Sequence, residues 1–224
     1  MKMVVPCALA ALVLSLPAVS IGAQTPAGLS TIGKCDAQVS SYRKQLLDEK
    51  SLSRDTHMRH DMELAVLQGN SDQVSGLVGK WQGHESSLDI DDALQSGLSM
   101  AAWNGDAKMA DLLIKSGAKP DEWTNHTLGN PAIVLASGCG HLDVMKVILQ
   151  SGGQINTRSD VGVTAFEAAL NGLHQDIALW VLSQGFDVCS QESPEKIGRM
   201  KSIVSKFHMS DTLAKSLQCP QKAQ

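Results

Sequence analysis

The chain has 224 residues, of which 43% are hydrophobic and 19% charged; that is apolar material for one cooperative fold and too much for a disordered chain. Its formal net charge is -4, so no overall basic field favours nucleic acid or anionic lipid, and a partner must be recognised by local surface. Aromatic residues make up only 4%, which makes each of the four Trp informative.

At the N-terminus, Lys2 precedes an apolar run from Val4 to Val19 and then small residues up to Ala23. This order of charge, apolar stretch and small residues predicts a signal peptide over 1–23. A membrane anchor is the rival reading, but Pro6 and Pro17 interrupt the run, which is short for a span and has no positive stop beyond it. Cleavage implies a periplasmic or secreted protein with no stable membrane insertion afterwards. Of the five cysteines, Cys7 lies in this segment, leaving Cys35, Cys139, Cys189 and Cys219. An oxidising compartment permits disulfides among them. Cys189 and Cys219 bracket the C-terminal segment and are expected to pair. Cys35 and Cys139 are either unpaired thiols or are bridged if the N-terminal helix folds back. The chain has no Cys-x-x-Cys, so neither a zinc ribbon nor a thioredoxin-type site is supported.

Residues 24–56 read as a linker followed by an N-terminal capping helix with apolar positions Val39, Tyr42, Leu46 and Leu47. Residues 57–191 read as repeats. Three segments align, starting at Ser96, Pro131 and Thr164, so the starts lie 131 − 96 = 35 and 164 − 131 = 33 residues apart. Each has a short apolar helix, a turn, a second apolar helix and a Gly-led exit. A diverged unit from His57, with Leu64 and Ala65 on its first helix, precedes them, and the polar stretch 83–92 after it reads as a loop or extended finger. The first helices use Ala (Ala101, Ala102, Ala136, Ala169) to let neighbours approach. The second helices carry an apolar stripe through Leu112, Val147 and Trp180, and Gly117, Gly152 and Gly185 end them. Residues 192–224 form C-terminal capping helices and a tail. Ser193 is the N-cap with Pro194 at the first helical position, and Lys196, Arg199, Lys201 and Lys206 are placed on a solvent face.

Helix pairs near 33 residues with a degenerate Thr-Pro-Leu-His-x-Ala opening resemble the ankyrin-repeat family. The resemblance implies an all-α solenoid of about four repeats, the first degenerate, with N- and C-terminal helical caps. It also implies a concave groove that binds other proteins. Carried over position by position, the partner-facing residues are Trp103, Asn104 and Asn171 after the Ala positions, and Asp92, Gln95, Trp123, Thr127, Arg158 and Asp160 on the fingers. Trp103, Trp123 and Arg158 would line one face, unless the two Trp pack on each other or under the first finger. The usual opening histidine is missing from every repeat. Leu173 stands where the preceding repeat has Gly140, which predicts an altered helix connection.

No nucleophile elbow, phosphate loop, dinucleotide fingerprint or His-Glu-x-x-His occurs in the chain. His57, His60 and Asp61 are a loose metal-ligand trio with nothing placed to complete it. His141 and His174 fit local helix-turn bonding. The expected function is a non-enzymatic protein-binding module acting in the periplasm, with no metal, no cofactor and another protein as partner. Three finer roles stay open: an immunity protein neutralising a delivered toxin, an accessory to an envelope or oxidative-stress enzyme, and a self-associating scaffold.

Overall fold

The computed structural model describes residues 32–48, 54–81, 87–123 and 130–220. The expected signal peptide, most of the linker and Thr127 lie outside these residues. Within them the chain forms helices and a single antiparallel bridge, Arg158 to Thr164. No helix among the described residues is long and apolar enough to cross a membrane.

The N-terminal helix α1 spans Ile32–Asp48. Four helix pairs follow: α2 (Arg54–Leu67) with α3 (Ser71–Trp81), α4 (Ser87–Asn104) with α5 (Ala107–Lys115), α6 (Ala132–Cys139) with α7 (Leu142–Gln150), and α8 (Ala165–Asn171) with α9 (Gln175–Ser183). A short α10 (Val188–Gln191), then α11 (Pro194–Lys206) and α12 (Asp211–Ser216), close the far end. The first helices of the pairs form an inner row in which α2 packs on α4, α4 on α6 and α6 on α8. Helix α11 continues that row against α8, and α12 rests on α9 and α11.

The two rows differ because their sequences do. In α6 every residue but Gly138 is buried, and in α8 all six from Ala165 to Leu170 are. Such helices can only be sandwiched between neighbours. The outer helices instead bury one stripe each: Met109, Ala110 and Leu113 in α5, Val144, Met145 and Ile148 in α7, and Ile177, Ala178 and Val181 in α9. Leu112, Val147 and Trp180, expected at the centre of that stripe, sit at its margin and are only partly buried.

The helix ends follow their capping residues. Asp106 accepts from the Met109 amide and Thr164 from that of Glu167. Ser193 caps α11 with Pro194 in the first turn, as the sequence predicts. The stretch expected to be a loop after α3 is a correction: helix α4 already begins at Ser87, so Asp92 and Gln95 stand on a helix and not on a finger. An apolar residue near every third or fourth position (Ile90, Ala93, Leu94, Leu98) outweighs its run of aspartates.

The connection after α8 is altered in a specific way. Gly69, Gly105 and Gly140 take positive φ in the first three pairs, and Leu173 takes φ 61° at the same place in the fourth. A side chain with a Cβ is strained there by about 1 kcal/mol. The substitution Leu173→Gly is therefore expected to raise stability by up to about 1 kcal/mol despite the looser unfolded chain, read as a higher urea midpoint. A lower midpoint would mean that the packing of the half-buried Leu173 side chain outweighs the strain.

Candidate protein-binding surface

Helix α1 does more than close the end of the stack. It packs on α2 and α4 of the inner row and reaches α6 through a disulfide between Cys35 and Cys139, 104 residues apart in sequence. The N-terminal helix thus folds back, and of the two alternatives the sequence leaves open for these cysteines the bridge is the one formed. In a chain-entropy picture, closing a loop of about 100 residues restrains the unfolded chain by ~4.7 kcal/mol. Cys189 and Cys219 are also joined, over 30 residues.

One position beneath α1, Trp103, is among those the ankyrin resemblance assigns to partner contact. Trp103 is half-buried, with its ring centroid 5.9 Å from that of Tyr42 on α1. Its indole Nε1 is buried without an acceptor among the described residues. Tyr42 donates to Glu63 Oε2 at 2.8 Å, and Ser96 of α4 donates to the other oxygen of the same buried carboxylate. Arg59 lies 3.5 Å from it. One carboxylate on α2 therefore fastens both α1 and α4, and its burial is offset by these donors. Trp103 is not an open groove residue, because α1 covers it.

The other assigned residues divide into those that build the fold and those that face water. Gln95 is buried; its amide donates to the carbonyls of Lys119 and Glu122 and its oxygen accepts from the Lys119 amide at 3.1 Å. It pins the chain leaving α5 and is corrected from a contact residue to an internal clamp. Arg158 is corrected likewise: its guanidinium donates to the carbonyls of Gly162 and Gln191 and lies 3.5 Å from Glu192. Asp121 makes a similar link, accepting from the Gln154 amide and the Thr157 hydroxyl, both at 2.8 Å.

On the basic C-terminal face Arg199, Lys201 and Lys206 are exposed as expected, and Lys196 alone departs from it. Lys196 points inward, 2.8 Å from Glu167 and 3.7 Å from Glu192, and donates to the Gly162 carbonyl. Arg199 pairs with Glu195 at 2.8 Å on the surface.

Two histidines connect successive pairs, so their bonding is not confined to their own turn. His141 Nε2 donates to the Trp103 carbonyl at 3.2 Å, and His174 makes the corresponding bond with the Gly138 backbone. Burial holds both imidazoles below their usual pKa; for His174 the nearby Asp176 opposes that shift. Both act as neutral struts. His57 and Asp61 are exposed on α2, and among the described residues no three His, Cys, Asp or Glu side chains converge to hold a metal.

Of the remaining candidates, Trp123 and Asp160 follow the outer helices α5 and α7 on the finger side, Asp92 stands on α4, and Asn104 and Asn171 end the inner helices α4 and α8. Trp123 is 37% exposed and Val161 64%. Asp91, Asp160 and Asn171 are exposed, and Asn104 and Asp92 are half-buried. Asp91, Asp92, Gln95, Lys119, Glu122 and Trp123 line one shallow open pocket. Its cation is already engaged: Lys119 contacts both oxygens of Glu122, at 3.0 and 3.1 Å, which raises the lysine pKa. Sequence alone could mark Trp123 as unusual, yet could not tell it from Trp103, because both follow the same repeat logic.

Residues 98–192 match the family model for ankyrin repeats (3 copies). A 60-residue stretch, 27% of the chain, is 42% identical to part of the E3 ubiquitin-protein ligase MIB2 of Gallus gallus. The match spans 6% of that relative's length, and the likeness is confined to the repeats. The described residues form an all-α stack of helix pairs in which residues 98–192 are ankyrin repeats, and ankyrin repeats are in general non-catalytic modules for binding proteins.

Proposed function

We propose that this chain binds another protein along the finger edge around Trp123, in an oxidising compartment such as the periplasm or the outside of the cell. The exposed Trp123 beside Asp91 and Asp92 carries the reading. An indole at the rim of a pocket with two carboxylates suits a Lys or Arg side chain, which gains from both the ring face and the charge. The acidic balance of the chain favours the same sign of partner. The two disulfides and the Lys2-led apolar segment support export. Neutralising a delivered toxin and supporting an envelope or oxidative-stress enzyme are finer roles this surface could serve, whereas self-associating scaffolding would use the caps.

Partner recovery from an extract of the exporting compartment tests the reading, using wild type, Trp123→Ala and Asp91→Asn. A Trp at the centre of an interface contributes 2 kcal/mol or more, so recovery is expected to fall by roughly thirtyfold with Trp123→Ala. Asp91→Asn is expected to act more weakly and to lower the salt sensitivity of binding. Equal recovery of every protein by all three would remove the finger edge as the site.

A further inference from the structure

We propose that α1 is a removable cover on the inner face of the repeats, that the Cys35–Cys139 disulfide is its clasp, and that a dithiol reductant opens it. The inference goes beyond the finger edge: it concerns a second face that is closed in the oxidised chain. Three observations carry it. The first is position, since α1 rests on inner helices α2 and α4 and is bonded to the last residue of α6, so that Trp103 and Cys139 lie beneath it.

The second is how lightly α1 is held apart from the clasp. From Cys35 to Asp48 only Cys35, Val39 and Leu46 are buried, while Leu47 is 58% exposed. In α4, on which it lies, every residue from Ala93 to Ala102 is buried by contrast. Elements with few buried apolar contacts are the ones that open locally. In α1 the bond at Cys35 fixes one end and the Tyr42–Glu63 hydrogen bond the middle.

The third is a cost of closure at the covered face. The buried Trp103 indole N–H has no acceptor among the described residues with α1 in place, whereas water would supply one to an uncovered ring. The second bridge cannot play this part, because Cys189 and Cys219 lie 30 residues apart at the C-terminal end. In the opening step a thiolate of the dithiol attacks one sulfur of the Cys35–Cys139 bond and forms a mixed disulfide. The second thiol of the reductant then closes its own disulfide. Cys35 and Cys139 leave as thiols, having gained two electrons and two protons from the dithiol.

Hydrogen–deuterium exchange, resolved by segment, tests this on the full chain. Three samples are compared: oxidised protein, protein treated with dithiothreitol under native conditions, and oxidised Cys35→Ser/Cys139→Ser, which keeps the other bridge. Maleimide labelling reports which thiols were freed. The expected result is free Cys35 and Cys139 after treatment, exchange in α1 faster by at least about tenfold, and unchanged protection in α6 to α9. Unchanged protection of α1 would overturn the proposal. So would a loss shared by all helices, which makes the bond a general staple, or a clasp that stays oxidised until the protein is denatured. If the double variant does not fold, reduction of the folded wild type reads the same segment. The Trp123→Ala binding result is independent, so either idea can fail without the other.

Discussion

Replacing Lys196 by Met is expected to lower the free energy of unfolding by about 3 kcal/mol. Its ammonium sits between Glu167 and Glu192, whose side chains are 11% and 0% exposed. Met preserves most of the aliphatic packing but removes the charge and its N–H donors, the one to the Gly162 carbonyl included, which leaves two carboxylates facing each other largely out of reach of bulk water. An uncompensated buried charge is among the costliest defects in a fold. The loss stays short of the largest values because Thr164 still donates to Glu192 at 2.6 Å and Arg158 still lies 3.5 Å from it. The urea midpoint at neutral pH measures the effect. The added change Glu167→Gln should return part of the loss, since it removes one of the two carboxylates and the sites are in contact. A loss below about 1 kcal/mol would show that the arginines and water already neutralise the pair, and that Lys196 is peripheral.

That cluster also shows which parts of this protein can be read from its sequence. Periodicity and capping gave the helix pairs, the buried Ala positions and the Ser193–Pro194 start of α11, because each depends on residues within one or two turns. Lys196 and Arg158 have their carboxylate partners 29 and 34 residues away, and residue type alone places a charge on the surface. The same limit hid the fate of Trp103. Repeat register assigns it to the groove, but what occupies the groove is a helix clasped across 104 residues. Gln95 was misplaced for a local reason, since the aspartates at the start of α4 resemble a polar finger until the apolar spacing beneath them is counted. The histidine struts combine both lessons: the turn position is legible, and its bond to the preceding pair is not.

Gly172→Ala and Gly198→Ala should change stability in opposite directions, although both glycines have ordinary helical surroundings. Helix propensity favours Ala over Gly by up to about 1 kcal/mol in a helix interior. Gly198 lies within α11, and a Cβ there would meet nothing within 4 Å. Its substitution is expected to stabilise by ~0.7 kcal/mol. Gly172 ends α8 with φ -75°, so its backbone would accept Ala without strain. A Cβ there would instead collide with the Gly138 carbonyl oxygen of α6 and stand 2.7 Å from the His174 ring. Backbone cannot move aside as a flexible side chain can. The inner helices α6 and α8 would be forced apart, and the His174 strut bonded to Gly138 would be strained with them. Overpacking of this kind costs between 1 and 3 kcal/mol, and the loss of the strut adds to it, so a destabilisation of about 3 kcal/mol is expected. Both variants can be followed by urea unfolding of the oxidised chain. If Gly172→Ala proved neutral, the spacing of the inner row would be adjustable. The close approach at Gly172 could then not be what sets the distance between the third and fourth pairs.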